Sequence, residues 1–292
     1  MQHQIQQMVS LTYKEIKMKN VFVKKYSTAL FLLLVFWLQS CKDVNNPEDN
    51  APTLPAQSTM LIDFSEFPDT TTVSILPKTN ETASYQYWGW AALNVKYWNT
   101  LIAGAVVIPV AAFSEAFNHQ PVLQNDGSWL WSYNYTVGAN QYTAKLYGSP
   151  STSGIDWSML LSKAGEYSDF EWFTGYSNLP ATDGYWDLNK DPNQPEAFLK
   201  IEWARNSSGD SASVKYTNVI PGNAENGAYI QYGKTSDIPY NRYYKIWSQQ
   251  YLNLTDILWN FENHFGRVND PRYFGTPDWY CWDELLMDTS CQ

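Results

Sequence analysis

Ser128-Trp129-Leu130-Trp131-Ser132-Tyr133-Asn134-Tyr135-Thr136-Val137 carries Trp, Trp, Tyr, Tyr and Val at its odd positions and mostly small or polar residues at its even ones. A period of two becomes a single apolar face only in an extended strand. Trp129, Trp131, Tyr133 and Tyr135 should therefore point one way, and most of them should be core. The next run, residues 141–147, alternates in the same sense, with Tyr142, Ala144 and Leu146 set against Gln141, Thr143 and Lys145. Only Gly138-Ala139-Asn140 lies between the two runs, so a hairpin is the simplest connection.

Working outward, further strand-like runs fall at 155–161, 170–176, 185–189, 199–205, 214–219, 228–232, 243–248 and 257–265. Asp183-Gly184, Ser208-Gly209-Asp210, Pro221-Gly222-Asn223 and Asn226-Gly227 punctuate them, because Gly and Asn accept the positive φ of tight turns. Upstream, residues 61–64 and 71–75 are rich in residues that suit a pleated surface. Residues 84–118 have helical spacing instead, with Trp90, Leu93, Tyr97, Leu101 and Ala105 on one repeat and a single proline, Pro109, where two helices should meet. The expected class is mainly β with an N-terminal helical segment: an antiparallel meander of about ten strands forming a soluble barrel or a strongly curved half-barrel, since a sheet that long curls or closes. A transmembrane barrel fits less well, because its strands need ~9–11 residues and most runs here are shorter.

The first forty residues stand apart. Lys24-Lys25 precedes the apolar stretch 29–38, too short for a spanning helix of ~20 residues but suited to a secretory signal. Met18-Lys19-Asn20 would open such a signal, so translation is expected to start at Met18. Leu38-Gln39-Ser40-Cys41 resembles the lipobox of bacterial lipoproteins. That resemblance implies lipidation of Cys41, a mature chain beginning there, and the membrane as a partner through the anchor. Lys42-Asp43 is faintly similar to the export signal of Bacteroidetes-type surface lipoproteins, which implies a cell-envelope, outer-membrane address facing the periplasm or the surface. Residues 41–58, polar and proline-bearing, read as a flexible tether, and 59–292 as a single β-rich domain with helices at about 84–118. In layout alone, helices beside one curved sheet resemble the lipoprotein-carrier half-barrel.

Beyond residue 40 the chain holds 14 basic and 28 acidic residues, a formal charge of −14. A phosphate backbone is bound by clustered Lys and Arg, and the only arginines here are scattered at 205, 242, 267 and 272, so no nucleic-acid partner is expected. With Cys41 assigned to lipid, Cys281 and Cys291 remain, and an oxidising compartment would let them pair.

No catalytic motif, metal site or cofactor fingerprint is found, and His119 and His264 lack a second ligand at metal spacing. Asp187-Leu188-Asn189-Lys190-Asp191 has the spacing of a calcium loop, but Pro192 and Phe198 stand where that loop needs glycine and glutamate, so a polar turn between strands is expected. Glu171 beside Trp172, Glu202 beside Trp203, and the acids from Asp278 to Glu284 around Trp279 and Trp282 would suit a carboxylate-dependent glycan hydrolase; neighbours in a strand, however, point to opposite faces. Aromatics make up 16% of the chain, which favours a ligand-binding or interaction role for an apolar or glycan ligand over a purely structural one. Residues 101–113 are apolar nearly all round, so any ligand contact should come from that side, through Leu101, Val107 and Phe113.

Overall fold

The computed structural model describes residues 50–61, 64–68, 84–209 and 211–291. Cys41, the signal segment and the strand expected at 71–75 lie outside them. One helix and one sheet dominate the rest. The helix α1 is Gln86–Ala116, and the strands are β1 (Val122–Leu123), β2 (Trp129–Val137), β3 (Asn140–Pro150), β4 (Gly154–Lys163), β5 (Tyr167–Asn178), β6 (Asp183–Asp191) and β7 (Gln194–Arg205), then β8 (Ala212–Asn218), β9 (Tyr229–Lys234), β10 (Arg242–Ser248), β11 (Asn253–Trp259), β12 (Gly266–Asn269), β13 (Tyr280–Trp282) and β14 (Asp288–Thr289). A short helix, α2 (Pro271–Phe274), follows β12.

Among the described residues all fourteen strands form one antiparallel meander in sequence order, and β1 does not pair with β14. Laid flat, such a sheet would be ~60 Å wide. The helix, ~46 Å long, meets β13 and β14 with its first turns and β2 and β3 with its last, so the sheet bends around it into an open half-barrel.

The concave face carries the alternating aromatic set. Trp131, Tyr133 and Tyr135 are buried and Trp129 is half-buried, so the first run does present one inward face. Gly148, Trp157, Gly175 and Trp186 are direct partners across β3 to β6. Each indole lies over the neighbouring glycine: a Cβ on Gly148 would stand 2.7 Å from the Trp157 ring, and one on Gly175 would stand 2.3 Å from the Trp186 ring. Large rings fit beside one another here because the strand between them has no side chain.

Their polar tips need partners once buried. Residues 51–68 provide several. Thr59 Oγ1 accepts from Trp186 Nε1 (3.2 Å), the Met60 carbonyl from the Tyr216 hydroxyl (3.1 Å) and the Glu66 carbonyl from Trp259 Nε1 (3.3 Å). The Glu66 carboxylate also accepts from Arg242 Nε (2.7 Å) and from the Tyr232 hydroxyl. Met60, Phe64 and Phe67 fill the space between. This segment departs from expectation in two ways. Leu54 and Pro55, assigned to the tether, are part of the packing, and Phe64–Glu66 is a single 3-10 turn where a strand was expected.

Two further expectations are corrected. The helix runs unbroken through Pro109, although the sequence suggests two helices meeting there. Val106, Ala112 and Phe113 are fully buried on either side, and that packing offsets the ~3 kcal/mol that an interior proline costs. The run 257–265 is not one strand: β11 stops at Trp259, and Asn260 Oδ1 accepts from the Glu262 and Asn263 amides (3.1 and 2.9 Å) to turn the chain into β12.

Candidate functional site

The helix buries Ala91, Val95, Ile102, Val106, Ala112, Phe113 and Ala116 against the concave face. Its other side stays apolar too. Leu93, Tyr97, Leu101 and Val107 are 59%, 62%, 48% and 49% exposed, although by length and composition this helix could cross a bilayer. Between that side and the sheet lies a cleft of about 670 Å³. Tyr97, Trp98, Leu101 and Ala105 form its helix wall, and Phe198, Ile220, Ile246 and Trp247 its sheet wall.

Polar groups at the cleft are already engaged. Asp270, 2% exposed, accepts from Trp90 Nε1 (2.9 Å), Asn253 Nδ2 (2.9 Å), Thr255 Oγ1 (2.7 Å) and the Tyr273 amide (3.1 Å), which satisfies a carboxylate that would otherwise be costly to bury. It also caps α2, with Pro271 in the first turn. Glu225 accepts from Ser248 Oγ (2.8 Å) and the Gln249 amide (2.9 Å). The Arg272 guanidinium lies 3.8 Å from the Tyr251 ring centroid. What the cleft offers a visitor is chiefly carbon and ring surface.

Of the three residues expected to contact a ligand, Leu101 lines this cleft. Val107 is exposed outside the cleft lining, and Phe113 is fully buried, its ring 5.2 Å from that of Trp186 and 6.3 Å from that of Phe173. Asp270, Arg272, Tyr251 and Trp247 were not anticipated. Asp270-Pro271 is a helix-start signal that could have located the Asp270 hub, but not the cleft.

The other sequence candidates do not converge. Glu171 and Glu202 are exposed, with Ser158 Oγ donating to Glu171 (3.2 Å) and Lys215 Nζ 3.6 Å from Glu202, while Trp172 and Trp203 are buried. Asp283 Oδ1 accepts from the Leu285 and Met287 amides (2.9 and 3.0 Å) and so shapes the final turn. Asp187 pairs with Lys200 (3.2 Å), Asn189 Nδ2 donates to the Glu171 carbonyl (2.9 Å), and Asp191 accepts from the amides of Asn193 and Gln194 (2.8 and 3.1 Å), so the calcium-like stretch is strand followed by turn. His119 stacks on Tyr133 with ring centroids 4.7 Å apart, and the His264 carbonyl accepts from Trp282 Nε1 (2.8 Å). Cys281 and Cys291 are joined as a disulfide, with Cα atoms 5.2 Å apart.

Comparison with protein-family models, with curated proteins and with solved structures finds no match for this chain.

Proposed function

We propose that this protein is a lipid-anchored, outer-membrane binding protein that holds an apolar ligand in the cleft between helix and sheet. The observation that carries the reading is the disposition of polarity: carbon and ring faces line the cleft, while Asp270 and Glu225 have their oxygens occupied by protein donors. A site built for a sugar would keep such groups open to the ligand, whereas an apolar ligand gains ~25 cal/mol for each Å² it removes from water. The anchoring half of the proposal rests on the lipobox-like residues 38–41 and on the secretory pattern before them.

Titrating the protein with N-phenyl-1-naphthylamine, a neutral apolar fluorophore, while following Trp emission tests the cleft. Saturable binding that is lost in Ala105→Trp, a change that fills the cleft, is the expected result; no saturable change defeats the reading. Membrane fractionation and fatty-acid labelling of Cys41→Ala test the anchor, and continued labelling of that variant excludes it.

A second reading is a structural or assembly lipoprotein. It is favoured by the filled concave face, where Met60, Phe64 and Phe67 occupy space that a large internal cavity would need. The same titration separates the two.

A further inference from the structure

At the C-terminal end of α1, the tips of the β2–β3 and β4–β5 hairpins enclose a second hollow of about 1080 Å³. Tyr135, Tyr142 and Tyr167 line it, with Asn134, Gln141 and Thr143 at its edge. Tyr135 and Tyr142 are 7% and 5% exposed and stack with ring centroids 5.3 Å apart. Their neighbour Tyr133 donates its hydroxyl to the Ala112 carbonyl at 2.6 Å. The hydroxyls of Tyr135 and Tyr167, in contrast, are buried and have no hydrogen-bond partner. Buried donors are normally paired, so two unpaired ones on residues that line one hollow call for an acceptor from outside the chain, reached by a shift of the rings toward it. Burial raises the Tyr167 hydroxyl to about 12 and raises that of Tyr135 as well, so both remain donors at neutral pH.

The charged groups around the hollow have partners within the protein. Lys163 pairs with Glu166 at 2.6 Å, and its ammonium stands 5.8 Å from the Tyr142 ring centroid. Glu115 lies 3.1 Å from His119 Nε2 and accepts from Asn118 Nδ2 at 3.1 Å. Each of these groups is held by a protein partner rather than turned to a ligand. Phenol donors and a rim of amides and hydroxyls suit a neutral, oxygen-rich molecule.

We infer that this hollow is a binding site for a neutral sugar residue, whose oxygens accept from the Tyr135 and Tyr167 hydroxyls. The site is separate from the apolar cleft and does not depend on it.

Calorimetric titration of the full-length protein with maltotriose, cellotriose and triacetylchitotriose tests this. At least one should bind saturably, and Tyr135→Phe should weaken it about tenfold, the usual effect of losing one hydrogen bond. Because that hydroxyl has no protein partner, the variant should melt no lower than the parent. Ala105→Trp, in the other cleft, should leave the sugar affinity unchanged. Absence of binding by all three sugars at millimolar concentration, unchanged affinity in Tyr135→Phe, or a lowered melting temperature in that variant would each overturn the assignment.

Discussion

Trp131 is 3% exposed, and its ring centroid lies 5.8 Å from that of Trp157. Truncation to Ala leaves a cavity that its neighbours cannot close, so Trp131→Ala should lose ~3–5 kcal/mol in chemical denaturation, a large part of a typical domain's ~5–15. This core role was legible in the alternation alone, since a strand gives such a pattern one aromatic face. Asp256 was not legible. Its Oδ1 is buried without a partner, and burial raises its carboxyl above the ordinary value even though Lys245 and Arg267 pull the other way. The fold therefore favours the protonated form. The stability it contributes is whole below the ordinary carboxylate range and is lost as pH rises through the raised folded value. Asp256→Asn should accordingly be more stable than the parent at neutral pH, and the advantage should shrink in acid. Urea unfolding at the two pH values checks it; an advantage that grows in acid would be the wrong sign.

The helix has no side-chain cap from Tyr85, the residue before it. Its free amides go to the far end of the chain instead: Asp288 on β14 accepts from the amides of Gln86 (3.1 Å) and Tyr87 (2.9 Å), and also from Ser84 Oγ. A carboxylate at a helix N-terminus satisfies orphan donors and complements the helix dipole. Asp288→Ala should cost ~0.5–2 kcal/mol and speed amide exchange in the first turn of α1 first; uniform protection across the helix would contradict this. Local pattern cannot reveal a cap supplied so far away in sequence. The same limit explains other departures. Pro109 signals a break, yet packing on both sides holds one helix together, and Phe261 and Phe265 prolong the apolar pattern of β11 through a turn that Asn260 dictates. The strands themselves were easier to read, because Gly and Asn turns separate their runs.

Across the molecule, the open curved meander follows from strand count and short links, whereas the cleft does not. Its walls come from α1, from strands β7, β8, β10 and β11, from the loops beside them and from the start of α2, and side chains that far apart in sequence meet only once the sheet has curved. The Cys281–Cys291 bond closes a loop of 10 residues behind the last strands. Reducing it should lower stability by ~2–3 kcal/mol, measured as a shift in the denaturation midpoint with and without reductant; no shift would mean that the final hairpin holds without it. The cap described above bears on synthesis as well. Successive strands are neighbours, so each can pair with the one made just before it as the chain lengthens. The apolar helix is made before any of them, but its first turn waits for Asp288, 202 positions after Gln86. A chain stopped at Asn269 would hold every long strand and still leave those amides without their carboxylate, so the start of α1 is the part of the fold secured last.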